Sequence, residues 1–160
     1  MVPFAIEEED FSSLATQPAG RNEPIKLMLD AVIAVITNVE KVLLIQRAAG
    51  IRGGGFWAPV SGEVEAGESQ ETAVAREAME EVGLTVRAIR KVWENVSTRG
   101  TFILHWWTAE YVGGELALNP AEASDARWLT VDEICRMDNT FEGDREFYRN
   151  ILPTLASSNK

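Results

Sequence analysis

Three glutamates late in the segment from Gly62 to Leu84 have the spacing of a metal site. Glu77, Glu80 and Glu81 are at positions i, i+3 and i+4, so a helix would place them on one face. Like charges at this spacing destabilise a helix by about 0.2–0.5 kcal/mol per pair, and such local conflicts tend to mark functional sites. Converging carboxylates suit a hard divalent cation such as Mg²⁺. A solvated acidic face is the plainer alternative.

The residues around this cluster predict the helix and the loop that leads into it. Ser69 is a good N-cap, and Gly83 suits the position just past the end of a helix. The preceding "GEVEAG" is a tight loop of the kind that can aim backbone groups at a metal or a phosphate. Glu68 and Arg76 are predicted to pair and to fix the loop against the helix, with a solvent-exposed arginine as the alternative.

The other segments alternate between strand and helix patterns. β-branched apolar runs predict a hairpin linked by "NVE", followed downstream by two longer strands. A Gly-Gly turn in "VGGEL" is predicted to join the second of these strands to a further short strand, and two helices are predicted to follow, with Pro153 interrupting or ending the second. The strands are "LMLDAVIAVIT", "KVLLIQR", "LTVRAIRKVWENV" and "TFILHWWTAEYV", and the helices are "TVDEICRM" and "DREFYRNILPTLA". The pattern predicts an α/β (α+β) fold, with a mixed sheet covered by helices.

Composition restricts the class of protein. The 160 residues carry a net charge of −10, and the single cysteine, Cys135, can form no internal disulfide, which fits the cytoplasm. Binding a nucleic-acid polymer normally takes a basic stripe, and none is visible, although a bound cation would allow a small anionic substrate. No apolar run approaches the roughly 20 residues that span a bilayer. Membrane and nucleic-acid partners are therefore not expected.

Two parts of the chain differ in character. Residues 1–25 are rich in Glu, Ser, Pro and Gly and predict a lead-in with room for one short strand. The acidic start does not fit a secretory or transit peptide. Residues 26–160 predict a single domain of ordinary size.

The glutamate segment as a whole resembles a family signature. Gly62, then five residues, Glu68, then seven residues and "REAMEEVGL", is similar to the Nudix box of the Nudix hydrolases. Ala78 occupies a core-facing position where that family usually has a larger aliphatic residue, which affects packing rather than chemistry. The resemblance covers residues 26–155 and implies a Nudix-like α/β/α sandwich with a mixed sheet and a loop-helix-loop metal site.

The resemblance also implies which residues act. The cofactor would be Mg²⁺ or Mn²⁺, and the substrate a nucleoside diphosphate linked to another group. Glu68 and Arg76 would hold the geometry of the site. The metal ligands carried over by position are Glu77, Glu80, Glu81 and the backbone carbonyl of Gly62 or of Ser61.

A further glutamate is implied by relatives of the 8-oxo-dGTP hydrolase, in which a downstream loop supplies one. Glu122 in "NPAEASDARWL" lies in a similar setting and is the candidate for an additional metal ligand and catalytic group. An ordinary loop carboxylate is the alternative. Glu80, Glu81 and Glu122 all stay open as the general base.

The substrate is less determined than the chemistry. Val60-Ser61-Gly62 replaces the commoner Pro-Gly-Gly and is similar to the dATP and dihydroneopterin triphosphate pyrophosphohydrolase branch. This favours a nucleoside triphosphate split into a monophosphate and pyrophosphate. The "SQPWPFPxS" run of the NADH-type enzymes is absent. A nucleotide sugar, a dinucleotide diphosphate or a non-catalytic nucleotide-binding module are the alternatives, and many relatives are homodimers.

Four residues outside the box have candidate roles. Arg47 could reach a terminal phosphate, and Trp57 could stack on a base, with a surface arginine and a packed tryptophan as the structural alternatives. The strand "FILHWWTA" is apolar on both faces, which suits a central strand, so His105 is expected in the core or at a pocket edge. Cys135 has no His or Cys companion and is expected to be structural.

Overall fold

The computed structural model describes residues 27–157, so the predicted lead-in of residues 1–25 lies outside the described part. The strands are β1 (Leu29–Asn38), β2 (Lys41–Arg47), β3 (Trp57–Ala58), β4 (Val60–Glu63), β5 (Thr85–Val96), β6 (Phe102–Gly113) and β7 (Ala123–Leu129). The helices are α1 (Gln70–Val82), α2 (Val131–Cys135), α3 (Glu142–Glu146) and α4 (Leu152–Ser157), and a π-helical turn, Phe147–Ile151, precedes α4. The single domain predicted over residues 26–160 extends beyond this range and stays a prediction.

Strand β1 lies at the centre of one mixed sheet. The order is β3-β2-β1-β6-β5, with β4 also paired to β1 and β7 to β2. β1 and β2 form the predicted hairpin, but they pair only near the turn, where Thr37 lies opposite Val42. Beyond that point β1 pairs antiparallel with β4 and parallel with β6, so Val32 has Gly62 on one side and His105 on the other. The predicted mixed sheet is confirmed.

Alternate residues of β1 point to opposite faces of the sheet, and both faces are covered. Val32, Ala34 and Ile36 belong to a core cluster that includes the buried residues of α1. Ala31, Ile33 and Val35 belong to a second cluster with the C-terminal helices. Because β1 is buried on both faces, its sequence is a continuous run of apolar residues from position 31 to position 36. The arrangement confirms the predicted sandwich of a mixed sheet between helices.

Helix α1 begins and ends where the sequence predicts. The side-chain oxygen of Ser69 accepts a hydrogen bond from the Thr72 backbone N–H at 3.1 Å. Gly83 has φ of 72° and donates its N–H to the carbonyl of Met79 at 3.1 Å, which closes the helix in the left-handed conformation that glycine favours. Ala78 is fully buried against the sheet, so its small side chain affects packing.

The prediction that a Gly-Gly turn in "VGGEL" leads directly into a further short strand is wrong. Residues 114–119 form no strand, because this segment crosses the C-terminal end of α1 and satisfies its carbonyls. Ala117 donates its N–H to the Val82 carbonyl at 2.8 Å, and Asn119 donates to the Glu81 carbonyl at 2.9 Å. The next strand, β7, pairs with β2 instead. This crossing places residue 122 beside the end of α1.

The last predicted helix is divided into three parts. α3 runs directly into the π-helical turn, and α4 follows with Pro153 as its second residue. Proline has no N–H to donate backwards, so regular α-helical bonding cannot run unbroken through this point. Between residues 27 and 157, no helix has the length and apolar character needed to cross a membrane.

Candidate active site

Gly62 and Glu77 are packed more closely than any side chain at position 62 would permit. A Cβ built on Gly62 would lie 2.0 Å from Cδ of Glu77 and 2.1 Å from its Oε1. The backbone of Gly62 is not in the left-handed region, so the absence of a side chain matters here for space, and any larger residue would displace the Glu77 side chain. The Glu77 carboxylate therefore lies directly against the backbone of β4.

The three box glutamates differ in exposure. Glu77 is 7% exposed and Glu81 is 5% exposed, because both face the sheet from α1. Glu80 lies at the margin, with 29% of its side chain exposed. Carboxylates are almost never buried this deeply unless they are paired or bind a cation. A solvated acidic face does not describe Glu77 and Glu81.

Burial and mutual repulsion act together on these carboxyls. The pKa of Glu77 is raised to about 7: burial is the largest cause, Arg76 opposes it, and the charges of Glu80 and Glu122 add to the rise. Burial also raises the pKa of Glu81 well above its usual range, with Glu77 and Glu122 adding to the effect. The pKa of Glu122 is raised by burial and then by Glu80. The structure thus brings the downstream Glu122 into the electrostatic reach of the box glutamates.

Arg76 connects the loop before α1 to the face that carries the glutamates. Its Nε donates to Glu68 Oε2 at 2.7 Å and its Nη2 donates to Glu68 Oε1 at 2.9 Å. Nη2 also donates to the backbone carbonyl of Glu63, and Nη1 donates to Glu77 Oε1 at 2.7 Å and to Glu80 Oε2 at 3.2 Å. The hydrogen bond from Arg76 holds the pKa of Glu68 below its usual value. The predicted pair is in direct, bidentate contact.

The carboxylates fit a hard divalent cation by their chemistry. As they lie, no three Asp, Glu, His or Cys side chains among residues 27–157 are grouped closely enough to share a metal ion. Arg76 Nη1 instead bridges Glu77 and Glu80, while the buried Oε2 of Glu81 has no hydrogen-bond partner in the described part of the chain. A buried carboxylate oxygen without a donor needs an explanation, and a cation supplies one. The residues that would hold Mg²⁺ or Mn²⁺ are Glu77, Glu80, Glu81, Glu122 and the Gly62 carbonyl.

Arg47 lies at the end of β2 beside this cluster. It is 3% exposed, and its Nε donates to the backbone carbonyl of Arg52 at 2.9 Å. Burial lowers the pKa of Arg47, while the charges of Glu81, Asp144 and Glu122 oppose that shift. The alternative of a surface arginine is wrong. Contact between Arg47 and a terminal phosphate stays a prediction.

Trp57 belongs to the core rather than to an open surface. Its side chain packs in the cluster on the far side of the sheet from α1, and the residue is 6% exposed. The guanidinium of Arg127 lies 4.8 Å from the centroid of the Trp57 ring. This placement matches the packed alternative and does not favour the role of stacking on a base.

His105 and Cys135 lie away from the glutamates. His105 is 6% exposed, its Nε2 is 2.8 Å from Asp30 Oδ1, and its Nδ1 is 3.5 Å from Glu94 Oε2. The hydrogen bond of Nε2 connects β6 to β1, while the buried Nδ1 makes no hydrogen bond within the described residues. Cys135 ends α2 and packs at the margin of the second core cluster.

Asp144 is the residue of this neighbourhood that sequence reasoning missed. It is 6% exposed on α3, and its charge acts on Arg47. A signal was present: Asp144, Phe147, Tyr148 and Ile151 are spaced i, i+3, i+4 and i+7, so the aspartate lies on an otherwise apolar stripe.

Comparison with known proteins identifies relatives that share the box and the fold. The NAD-capped RNA hydrolase NudC of Deinococcus radiodurans is 34% identical over 99 residues, which is 62% of this chain and 35% of that protein. The protein of the same name from Pseudomonas entomophila is 33% identical over 104 residues, 65% of this chain and 37% of that protein. The chain thus spans little more than a third of the length of these curated relatives. They do not support the dATP and dihydroneopterin triphosphate branch.

Solved structures agree on the fold. The MutT protein from Methanosarcina mazei Go1 has a TM-score of 0.72 and 25% identity, covering 86% of this chain and 99% of that one. An ADP-ribose pyrophosphatase from Streptococcus suis has a TM-score of 0.64 at 20% identity, over 84% of this chain and 94% of that one, which shows the fold alone. The family model described as the NUDIX domain matches residues 28–151, far more than half of the chain. The chain therefore belongs to the NUDIX domain family.

Proposed function

We propose that this chain hydrolyses a phosphoanhydride bond in a nucleoside diphosphate linked to another group, using Mg²⁺ or Mn²⁺. The observation that carries the proposal is the pair of buried carboxylates, Glu77 and Glu81, on a helix face against Gly62, with Glu122 close enough to act on the pKa of Glu81. Such a cluster is unfavourable by itself and becomes favourable when it binds a cation. Family membership supports the same chemistry.

Each group then has a defined part in the reaction. The metal, when bound, neutralises phosphate charge, polarises phosphorus and makes a water acidic enough to attack near neutral pH. A carboxylate accepts the proton that the attacking water loses, and Glu80, Glu81 and Glu122 are the candidates for this general base. The water oxygen bonds to phosphorus while the bridging P–O bond breaks, and the leaving phosphate departs with the electron pair. Arg76 and Glu68 keep the loop and α1 in register.

The first substrate candidate is a nucleoside triphosphate or an analogue. Hydrolysis would release a nucleoside monophosphate and pyrophosphate. Val60-Ser61-Gly62 in place of the commoner Pro-Gly-Gly supports this choice. The dATP and dihydroneopterin triphosphate branch is a special case of it.

The second candidate is a dinucleotide diphosphate or a nucleotide sugar. The relatives that are 33–34% identical are NAD-capped RNA hydrolases, which supports a dinucleotide. The net charge of −10 and the lack of a basic stripe in the sequence favour the dinucleotide itself over a long RNA. A module that binds nucleotides without turnover is the weakest candidate, because all the box carboxylates are present.

A substrate screen distinguishes these functions. The full chain is incubated with Mg²⁺ and, separately, with NTPs, dNTPs, NADH, ADP-ribose, nucleotide sugars and NAD-capped RNA, and the products are resolved by ion-exchange chromatography. Pyrophosphate with a monophosphate supports the first candidate, and two monophosphates from NADH support the second. Release from capped RNA alone would overturn the expectation that no nucleic-acid polymer is a partner. No product from any compound would refute the enzymatic proposal.

A matched pair of variants distinguishes the loss of a carboxylate in the site from the loss of the same charge elsewhere on α1. Glu81→Gln should lower the catalytic rate by about 10²–10⁴-fold. Glu71→Gln removes the same charge from an exposed position in the first turn of α1 and should leave the rate unchanged. Cytoplasmic location and a homodimer remain further proposals, and light scattering of the purified chain tests the second.

A further inference from the structure

The C-terminal helical segment carries a buried charge that acts on Arg47, which lies beside the proposed metal centre. Asp144, in α3, is 6% exposed, and Arg47, at the end of β2, is 3% exposed. Apart from histidine, Arg47 is the one basic residue buried to this extent between residues 27 and 157. Its charge is felt by Asp144 on one element and by Glu81 and Glu122 on two others.

Aromatic packing holds α3 against the loop between β2 and β3, residues 48–56, which positions Arg47. The ring of Phe141, the N-cap residue of α3, stacks on Phe56 with centroids 5.2 Å apart. A Cβ on Gly53, in the same loop, would lie 2.8 Å from Cζ of Phe141 and 3.3 Å from Nε of Arg47. The Arg47 guanidinium therefore lies beside the beginning of α3. Its position is fixed from the loop side by the hydrogen bond to the Arg52 carbonyl.

Three carboxylates, those of Glu81, Glu122 and Asp144, are close enough to act on the charge of Arg47. Glu81 and Glu122 would donate oxygens to the metal, and an arginine without another counter-charge would compete for those oxygens. A buried charge must be paired, and Asp144 supplies a carboxylate that belongs to no part of the Nudix box. Tyr148, one turn later, is 1% exposed, and its hydroxyl has no hydrogen-bond partner within the described residues. Asp144 is thus the polar group of an otherwise apolar helix face.

We propose that Asp144 is a positioning residue for the metal centre: its carboxylate shares Arg47 with Glu81 and Glu122 and so keeps their oxygens available for the cation. The inference rests on the proposed function, because it assigns Asp144 a part in the same metal site. Removing a residue that orients the metal ligands without contacting the metal itself weakens metal binding by about 10–100-fold. The C-terminal helices would then contribute to the site electrostatically as well as by covering the sheet.

Mn²⁺ binding to the full-length chain tests this directly. Free Mn²⁺ is followed by its EPR signal, which needs no substrate. Asp144→Asn keeps the shape of the side chain but removes its charge, and it should weaken Mn²⁺ binding by about tenfold. Asp144→Glu restores the charge and should recover most of the affinity. Glu142→Gln removes one charge from the same helix at a side chain that is 88% exposed and should have no effect.

A double-variant cycle shows whether Asp144 acts through Arg47. In an Arg47→Gln background, Asp144→Asn should change Mn²⁺ affinity by less than about twofold, because the residue that it positions is absent. Equal effects of Asp144→Asn with and without Arg47 would overturn the proposal, as would wild-type affinity in a folded Asp144→Asn variant. If Asp144→Asn does not fold, folding of the double variant supports the pair, and failure of the double variant while Arg47→Gln folds overturns it.

The two levels of inference fail separately. A chain that binds Mn²⁺ but hydrolyses no nucleotide would refute the proposed function and leave the Asp144 comparison intact. A chain in which Glu81→Gln lowers Mn²⁺ affinity but Asp144→Asn does not would refute the role of Asp144 alone.

Discussion

The guanidinium of Arg76 donates two hydrogen bonds to the carboxylate of Glu68, from Nε to Oε2 at 2.7 Å and from Nη2 to Oε1 at 2.9 Å. This fork joins the loop to the second turn of α1 across eight residues of sequence. The two side chains are only 19% and 10% exposed, so solvent screens the pair weakly. The same guanidinium reaches Glu77 and Glu80, which makes it part of the charge balance of the site.

Replacing this arginine by lysine should therefore be costly although the charge is kept. Arg76→Lys loses the bidentate geometry and most of the five hydrogen bonds, and we expect it to lower the free energy of unfolding by about 2 kcal/mol. Urea denaturation measures the change. Arg87→Lys is the matched control, because the pair of Arg87 with Glu110 is largely exposed and should contribute no more than about 0.5 kcal/mol. Equal losses in both variants would contradict the scaffolding role.

Glu81 and Glu80 should respond in opposite directions to the same substitution in metal-free buffer. Glu81→Gln removes a buried carboxyl group, one oxygen of which has no hydrogen-bond partner among residues 27–157, so we expect the melting temperature in EDTA at pH 8.5 to rise by about 3 °C. Glu80→Gln loses an ion pair with Arg76 and should leave the temperature unchanged or slightly lower. Calorimetry of both variants makes the comparison. A higher melting temperature for Glu80→Gln than for Glu81→Gln would show that repulsion at the margin dominates.

The metal-free protein should lose stability as pH rises from mildly acidic values through neutrality. Burial raises the pKa of Glu77 to about 7, and the pKa of Glu81 moves in the same direction. A carboxyl with a raised pKa in the folded state contributes stability that is complete below its unfolded pKa and is lost as pH rises through the folded pKa. Between pH 5.5 and 8.5 in EDTA, we expect a loss of roughly 2 kcal/mol.

The control for this pH effect is the cation itself. Saturating Mg²⁺ should stabilise the protein more at pH 8.5 than at pH 5.5, because binding requires the charged carboxylates. Urea denaturation at the two pH values, with and without Mg²⁺, gives all four free energies of unfolding. Stability in EDTA that increases toward pH 8.5 would contradict the raised pKa of Glu77.

Local signals made α1 and its glutamates predictable. Ser69, Gly83 and the i, i+3, i+4 spacing each act over a few residues, and the structure follows them. The long apolar run of β1 was likewise sufficient to identify a strand. The Nudix box extended this local information to function, because its fixed positions lie within one loop and one helix.

Features that depend on distant parts of the chain were not predictable. Strands β3 and β4 have two and four residues, too few to show alternation, and they exist because β2 and β1 pair with them. The Gly-Gly turn at the end of β6 predicts another strand, but residues 114–119 instead donate backbone hydrogen bonds to carbonyls at the C-terminal end of α1. Asp144 and Arg47 are almost a hundred residues apart in sequence, and only the folded chain brings the charge of Asp144 close enough to act on Arg47.

Gly62→Ala should disable the site without unfolding the sheet. The added Cβ would lie 2.0 Å from Cδ of Glu77, a distance that real contacts do not reach, so the carboxylate must move away from β4. We expect Mn²⁺ affinity to fall by at least about tenfold, because a displaced ligand costs at least as much as a lost outer partner. Equilibrium dialysis measures the affinity, and circular dichroism confirms the fold. Gly113→Ala is the control, since Gly113 ends β6, has no atoms within 4 Å of the added Cβ and should bind Mn²⁺ normally. Normal Mn²⁺ binding by a folded Gly62→Ala variant would mean that Glu77 can leave its place against β4 without loss, and it would remove Glu77 from the ligand set.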